Sequence, residues 1–212
     1  MCRLLYIKSI NPFEISDPLY KFARIAKNSK EYQGHGWGLA FLNSEEWQFY
    51  KNITPIWEDN LNQFGETKLM LAHARSAFRD RDISLQNNMP FYDDHHVFIF
   101  NGELHGVRIK IPGRIGAEKI FNFIKRFDRG DLRQAIERGL SLIVERSNYV
   151  RAINFIIADK DIAYVVSQFN EDKDYFTMYY KETQQEVVIC SEKYDNDPDW
   201  ISLGNKTLRT FK

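Results

Sequence analysis

The chain has 212 residues, a length that fits one domain, and 43% of them are hydrophobic, enough to bury a large core. Its 29 basic residues balance 29 acidic ones, which argues against a nucleic-acid-binding protein. The two cysteines, Cys2 and Cys190, are too few for a disulfide framework. No signal peptide and no apolar run of about 18 residues is recognisable. We therefore predict one globular domain over residues 1–212, without a membrane span and located in the cytoplasm.

The start of the chain combines a strand signal with a nucleophile. Residues 1–7 form an apolar run that predicts a buried strand, and Cys2 stands directly behind the initiator methionine. If Met1 is removed, Cys2 carries both its thiol and a free α-amine, whose ordinary pKa is about 7.7–8.0. That amine is able to take the thiol's proton and so generate the nucleophilic thiolate. Cys2 is therefore a candidate catalytic residue; the alternative is that it is merely the second residue of the chain.

A glycine-rich segment follows the first predicted helix. Asp17 and Pro18 indicate that this helix begins with a capping residue followed by proline in the first turn. Three glycines within residues 33–38 then predict positive-φ turns or a close backbone approach, with a plain hairpin entry as the alternative. Two paired strands are predicted after them, at residues 39–42 and 47–51.

The next predicted strand, at residues 68–75, ends in a histidine and an arginine. Strand ends that lead into loops commonly carry binding groups. The planar fork of Arg75 suits a carboxylate ligand, whereas the alternative is a surface arginine that pairs with Asp80 or Asp82. His73 is either a binding group or an ordinary histidine in the core.

A polar loop, residues 80–94, leads to a buried strand at residues 96–100. This strand runs into Asn101-Gly102, a pair that is typical of a tight hairpin turn. The functional alternative is that the Asn101 side chain and the Gly102 backbone N–H point at one spot, as the stabilisation of an oxyanion requires.

Three histidines near this strand raise the question of a metal site: His95, His96 and His105. The adjacent pair would point to opposite faces of a strand, and no cysteine lies nearby to complete a zinc site. We therefore predict neither a metal nor a cofactor.

Two amphipathic helices are predicted in the middle of the chain, at residues 116–127 and from Asp131 onward. Further strands are predicted at residues 152–158, 162–167, 175–180 and 186–190. Strands first, helices in the middle and strands again at the end indicate sheets that pack together and are covered by helices. The predicted class is α+β.

Four segments together resemble the class II glutamine amidotransferases, which are N-terminal-nucleophile hydrolases, and above all the stand-alone type that consists of the glutaminase domain alone. The segments follow the order and spacing of that family. They are Met1-Cys2-Arg3, Gly36-Trp37-Gly38, Ala72-His73-Ala74-Arg75 and Asn101-Gly102 with Leu104. Near the end of the chain, Cys190-Ser191-Glu192 and Asp199-Trp200 extend the resemblance.

The resemblance implies a four-layer αββα sandwich of two antiparallel sheets, and a reaction on the side chain of glutamine. Cys2 would attack the γ-carboxamide carbon, with its own α-amine as the general base. A γ-glutamyl thioester would form, ammonia would leave, and water would release glutamate. No cofactor takes part in such a reaction.

The same resemblance assigns roles to further residues. Asn101 and Gly102 would stabilise the tetrahedral oxyanion. Arg75 would clamp the α-carboxylate of the substrate. The pocket would be lined and shaped by Gly36, Trp37 and His73.

Three positions depart from the family pattern. Met89, before Pro90-Phe91, and Phe100, before Asn101-Gly102, stand where the family commonly has histidines. The third departure matters most. Where the family has an aspartate that holds the α-amino group of the substrate, this chain has Gly116, followed by Ala117 and Glu118. An unpaired ammonium in a pocket costs affinity, so Glu103 or Asp94 would have to replace the missing carboxylate. If neither does, the substrate is an amide other than free glutamine.

Three hypotheses for the function follow. The first is a cysteine-dependent amidohydrolase that acts on glutamine or a γ-glutamyl amide and either releases ammonia or passes it to a separate synthase subunit. The second is an N-terminal-nucleophile acylase for a different amide. The third is a non-catalytic binding module on the same fold, with Met1 retained.

Overall fold

Two antiparallel β-sheets lie face to face at the centre of the protein, in a computed structural model that describes residues 1–194 and 197–212. The strands, in chain order, are β1 (Arg3–Glu14), β2 (Trp37–Asn43), β3 (Glu46–Asn52), β4 (Glu66–Ala74), β5 (Phe91–Tyr92), β6 (Val97–His105), β7 (Tyr149–Ala158), β8 (Ala163–Phe169), β9 (Tyr179–Glu182), β10 (Glu186–Cys190), β11 (Ile201–Ser202) and β12 (Thr207–Phe211). Within the described residues, sheet A has the order β11-β9-β10-β1-β4-β2-β3 and sheet B has the order β12-β8-β7-β6-β5.

Helices cover the outer face of each sheet. They are α1 (Ser16–Lys27), α2 (Gly116–Lys125), α3 (Leu132–Glu145) and the short α4 (Lys173–Phe176), and 3₁₀ turns occur at Ile56–Glu58, Leu61–Gln63, Phe78–Asp80 and Leu85–Asn87. The buried face of α1 packs on sheet A through Leu19 and Phe22, whereas α2 and α3 pack on sheet B through Phe121 and Ile136. This helix–sheet–sheet–helix order confirms the predicted α+β class and the four-layer αββα sandwich. No helix in the described ranges is both long enough and apolar enough to span a membrane.

Strand β1 is the central strand of sheet A. It pairs with β4 on one side and with β10 on the other, so that Leu5 lies opposite both Ala72 and Cys190. Both faces of β1 are buried, because Leu4 and Tyr6 point into the space between the sheets while Leu5 points towards α1. Burial on both faces explains why this stretch reads as one continuous apolar run.

The predicted strand at residues 96–100 is longer than expected. β6 continues through Asn101 and Gly102 to His105, because β7 pairs with it along this length, with a bulge between Glu103 and Leu104. The hairpin turn considered for Asn101-Gly102 therefore does not occur.

The predicted strand at residues 175–180 is wrong in its first half. Residues Lys173–Phe176 form α4, and β9 begins only at Tyr179. Tyr175 and Phe176 are buried against the ends of β7 and β8. Tertiary packing thus overrides the β preference of these aromatic residues.

The start of the first helix also differs from the prediction. α1 begins at Ser16, and no side chain caps its first turn. Asp17 is therefore not the capping residue. It lies inside the first turn, where its negative charge favours the positive end of the helix dipole.

The packing of α2 on sheet B predicts a large cost for removing Phe121. Its ring stacks on Phe98, with the ring centroids 4.9 Å apart, and only 1% of the residue is exposed. We expect Phe121→Ala to lower the free energy of unfolding by about 3–5 kcal/mol in a denaturant titration, because apolar burial is lost and a cavity remains. The control Tyr20→Ala, at a position of α1 that is 51% exposed, is expected to change it by less than about 0.5 kcal/mol. Equal effects of the two variants would contradict this packing.

Candidate active site

A cavity of about 720 Å³ opens beside the first residues of the chain, at the amino-terminal end of β1. Its wall includes Cys2, Arg75 and Gly102, three residues predicted for the site. The remaining walls come from Met1 and Glu31, from β6, from the segments that follow β4 and β6, and from the start of α2. Another cavity, of about 790 Å³, lies around Lys8 and Ser9, and its described lining residues include no cysteine or histidine. The first cavity is therefore the one that contains the candidate nucleophile, Cys2.

Cys2 is almost fully buried in the wall of this cavity, with 9% of its surface exposed. Its thiol donates a hydrogen bond to the Ser76 carbonyl oxygen, with the sulfur 3.7 Å from that oxygen. Burial raises the pKa of the Cys2 thiol, and the N-terminal ammonium and the Arg75 guanidinium oppose this shift. The net shift is upward, so the thiol needs a base before it becomes a thiolate.

Met1 occupies a polar socket beside Cys2 that is formed by Glu31, Gln33 and Tyr175. Its α-ammonium forms an ion pair with the Glu31 carboxylate. Its carbonyl oxygen accepts hydrogen bonds from the Tyr175 hydroxyl, at 2.6 Å, and from the Gln33 side-chain amide. The sequence pattern carries no signal for this Met1 socket, because its residues meet only through tertiary packing.

Arg75 is buried in the cavity wall, with 5% of its surface exposed. Its guanidinium donates to the Asn88 side-chain oxygen at 3.0 Å and to the Asp82 backbone carbonyl at 2.9 Å. The surface ion pair considered from the sequence is therefore wrong for Asp82, which offers its carbonyl oxygen rather than its carboxylate. The Asp80 side chain lies outside the described part of the structure. These contacts fix the direction in which the guanidinium points.

His73 bridges the two sheets. It is fully buried, and its Nε2–H donates to the Phe100 carbonyl oxygen of β6 at 3.2 Å. Its Nδ1 has no hydrogen-bond partner among the described residues. Burial, with a contribution from the Arg75 guanidinium, lowers the pKa of His73 to about 3. His73 is therefore a neutral imidazole at ordinary pH. It lies in the space between the sheets and is not among the described residues that line the cavity.

Asn101 and Gly102 are consecutive residues of β6, and Asn101 is not among the described residues that line the cavity. Phe98 and Phe100 of this strand face α2, so strand alternation directs Asn101 into the inter-sheet space, the same space into which Cys2 points on β1. Asn101 is fully buried, and neither atom of its amide has a hydrogen-bond partner among the described residues. Gly102 lines the cavity itself. The oxyanion role of the pair stays a prediction.

Gly36 and Trp37 do not appear among the described residues that line the cavity, contrary to the prediction. Trp37 is fully buried on the α1 side of sheet A, where its indole N–H donates to the Asp59 carboxylate at 2.8 Å. Strand alternation is the reason, because Gly38, not Trp37, faces the inter-sheet side of β2. The Gly36 carbonyl accepts from the Arg75 backbone N–H at 2.9 Å. This segment therefore supports Arg75 from behind instead of forming the pocket wall.

The carboxylates proposed to replace the missing aspartate occupy different places. Gly116 lines the cavity at the start of α2, but Glu118 is outside the lining and forms an ion pair with Arg114 at 2.6 Å. Glu103 lines the cavity, whereas Asp94 does not. The Glu103 carboxylate accepts from His105 at 2.7 Å and from Arg151 at 3.0 Å. Of the two replacements named from the sequence, only Glu103 is thus in reach of a ligand.

The histidines considered for a metal site are spread over the two ends of β6. His105 lines the cavity beside Glu103, while His95 and His96 precede the start of the strand and bond to Asp93 through their backbone N–H groups. The described residues contain no group of three or more His, Cys, Asp or Glu side chains placed to hold a metal ion.

The stacked antiparallel sheets, with the chain's first residues in the wall of a cavity, define the N-terminal-nucleophile hydrolase fold in the form seen in class II glutamine amidotransferases. A glutamine aminotransferase class-II domain protein from Silicibacter pomeroyi has a TM-score of 0.64 at 16% identity, over 99% of this chain and 94% of that one. A predicted glutamine amidotransferase from Pseudomonas aeruginosa has a TM-score of 0.65 at 14% identity, over 99% and 97%.

The fold also forms part of a larger enzyme. The glutamine phosphoribosylpyrophosphate amidotransferase from B. subtilis has a TM-score of 0.65 at 16% identity, over 90% of this chain but 42% of that protein. No protein-family model matches the sequence, and no curated protein matches it. At these identities the comparisons establish the fold alone.

Gly36 supports Arg75 at a position where a side chain is expected to destabilise the protein. Its φ is +99°, and an added Cβ would lie 2.2 Å from the Asn88 amide nitrogen and 2.4 Å from the Asn52 carbonyl oxygen. We expect Gly36→Ala to lower the free energy of unfolding by about 2–4 kcal/mol, from backbone strain plus overpacking.

Gly65→Ala is the matched control, because Gly65 also has a positive φ, +72°, but no atom within 4 Å of an added Cβ. It is expected to cost only the strain, about 1–2 kcal/mol. Chemical denaturation measures both, and equal losses would show that the contact with Asn88 does not matter.

The low pKa of His73 predicts how stability depends on pH. Since the imidazole titrates at about 3 in the folded chain and at about 6.5 when unfolded, the unfolded state binds more protons between these values. The His73 contribution is therefore fully present above about pH 6.5 and is lost as pH falls towards 3, by at most about 1.4 kcal/mol per pH unit. His73→Gln removes this term, so the stability advantage of the wild type over the variant should shrink from pH 7 to pH 4. An advantage that is constant with pH would contradict the buried neutral imidazole.

Proposed function

We propose that this protein is a cysteine amidohydrolase of the class II glutamine amidotransferase type, active once Met1 has been removed. The observation that carries the proposal is the position of Cys2, in the wall of one cavity together with Arg75 and Gly102. The fold supports the same reading, because the solved structures that share it include proteins described as glutamine amidotransferases. The substrate class is glutamine or a γ-glutamyl amide.

The reaction begins with the free α-amine of Cys2. The amine takes the thiol proton, and the thiolate attacks the γ-carboxamide carbon to give a tetrahedral adduct. The adduct collapses with cleavage of the C–N bond, and the amine's proton leaves with the nitrogen as ammonia. Water then attacks the γ-glutamyl thioester, which releases glutamate and restores the thiol. Burial raises the pKa of the Cys2 thiol, so a nearby base is needed, and the α-amine lies on the same residue.

The negative charge of the adduct requires donors that are already in place. Asn101 supports this role, since its fully buried amide has no partner among the described residues. A buried amide without partners costs about 1–3 kcal/mol, so its presence calls for a function. In our proposal, the Asn101 amide and the Gly102 backbone N–H donate to the oxyanion. One such donor is typically worth about 3–4 kcal/mol of transition-state stabilisation.

Arg75 would hold the α-carboxylate of the substrate. A guanidinium carries five N–H donors, and the bonds to Asn88 and Asp82 use two of them. Those bonds keep the side chain in one orientation before the substrate arrives, which reduces the entropy lost on binding.

The fate of the ammonia leaves two variants of the proposal. The protein either releases ammonia to solvent or passes it to a separate synthase subunit. Under either variant we propose that the protein is located in the cytoplasm, because Cys2 and Cys190 are free thiols and thiols are kept reduced in that compartment.

The acylase alternative has one observation in its favour. The first turn of α2 presents Gly116 and Ala117 to the cavity instead of a carboxylate, which suits an amide without an α-ammonium. Turnover of 4-carbamoylbutanoate, which is glutamine without its α-amine, in the absence of glutamine turnover would establish this alternative.

The nucleophile is tested by intact mass and turnover. We expect the active protein to lack Met1, to hydrolyse glutamine, and to gain one adduct on Cys2 after exposure to an electrophilic glutamine analogue. Cys2→Ala should lose at least about 1000-fold in activity with little change in stability, because the covalent route disappears.

Cys190→Ala is the control. Cys190 is fully buried under α1 and burial raises its pKa to about 12, so this variant should keep both the adduct and the activity. Wild-type turnover by Cys2→Ala, or an adduct on Cys190, would refute the mechanism.

A further inference from the structure

The α-ammonium of Met1 is a primary ammonium held against the cavity wall. It pairs with Glu31, and both Met1 and Glu31 line the same cavity as Cys2. Glu31 is 29% exposed, so it faces the cavity rather than the core. Arg151 lies on its other oxygen at 3.3 Å and balances the charge of the carboxylate. This is a preformed site for a cationic head group, next to the candidate nucleophile.

The described part of the cavity lining contains two further acidic residues, Asp82 and Glu103. The Asp82 backbone carbonyl accepts from the Arg75 guanidinium, and the Glu103 carboxylate accepts from His105 and Arg151. Arg79, Arg81 and Lys119 also line the cavity, and they repel an ammonium. Of the three described acidic residues in the lining, Glu31 is the one that pairs with an ammonium in this structure.

The residues of the Met1 socket contact two different groups of Met1, its carbonyl oxygen and its α-ammonium, and removal of Met1 affects these residues differently. Gln33 and Tyr175 contact the Met1 carbonyl oxygen, so they lie next to the backbone nitrogen of Cys2 that becomes the new amine. Gln33 is fully buried and its side-chain oxygen has no partner among the described residues. That oxygen is an acceptor that the new amine is able to use. Glu31, which pairs with the Met1 ammonium, loses this partner, keeps Arg151 and still lines the cavity.

We propose that Glu31 binds the α-ammonium of the substrate in the processed protein, in the place that the Met1 ammonium fills before processing. The inference rests on the proposed function for the identity of the reacting amide, and it deepens it by naming the substrate class. That class is amides of α-amino acids, glutamine and its γ-glutamyl derivatives, rather than amides without an ammonium. Glu31 then binds the α-ammonium in place of the carboxylate that is missing at Gly116.

Binding, measured without catalysis, tests the inference. The probe pair is L-glutamate and glutarate, which differ only in the α-ammonium, titrated by calorimetry into Cys2→Ala protein whose loss of Met1 is verified by intact mass. We expect L-glutamate to bind more tightly than glutarate. Adding Glu31→Gln should weaken L-glutamate by about 10- to 100-fold, the worth of one charge-assisted contact, and change glutarate by less than about 3-fold.

Glu103→Gln and Asp82→Asn are the matched comparisons, because Glu103 and Asp82 are the other described acidic residues that line the cavity. Each should leave the preference for L-glutamate over glutarate in place. Chain that retains Met1 should not bind L-glutamate, since its own ammonium occupies Glu31.

Three results would overturn the inference: no binding of L-glutamate to the processed protein, an equal effect of Glu31→Gln on both ligands, or loss of the preference in Glu103→Gln or Asp82→Asn instead. Failure of the proposed function is a separate result. It appears as absent glutamine turnover by the wild-type protein, while the Glu31-dependent preference for L-glutamate remains.

Discussion

The central position of β1 in sheet A is the constraint on which the site depends. Hydrogen bonding to β4 and β10 on both sides fixes the register of the first strand, so Arg3 lies opposite Ala74 and Leu4 opposite His73. The same register carries Cys2 to the level of Arg75. A terminal residue would otherwise be among the least ordered parts of a domain. Here the chain's second residue is held as firmly as a residue of the core.

A row of buried polar side chains crosses sheet B at the level of the site. Asn101, Asn154 and Ser167 lie opposite one another on β6, β7 and β8, and all are fully buried. The Asn154 amide is satisfied by the backbone of Phe176 and Gln168. The Asn101 amide and the Ser167 hydroxyl have no partner among the described residues. Of these two unsatisfied groups, the Asn101 amide is the one next to a cavity-lining residue, Gly102, where an incoming ligand would supply the missing bonds.

The layer order and the position of Cys2 at the head of β1 could be predicted from the sequence because both follow from local patterns. The apolar run at the start gave β1, and the amphipathic stretches gave α2 and α3. Side-chain direction was harder to predict. Trp37 belongs to a recognisable motif, yet its strand turns it towards Asp59 and away from the cavity. The role that we propose for Glu31 has no signal in the sequence, because it depends on a contact with Met1 across a loop, which no periodicity or spacing reveals.

The pairing of β1 with β10 has a consequence for the order of events during synthesis. At about 5–20 residues per second, roughly 10–40 s separate the emergence of Leu5 from that of its partner Cys190. During that interval sheet A lacks β10, so the amino terminus is accessible to a peptidase. Once β10 and α4 are in place, only 12% of the Met1 side chain is exposed. If Met1 is removed as we propose, its removal competes with the completion of folding, and the fraction of chains that lack Met1 records which of the two was faster.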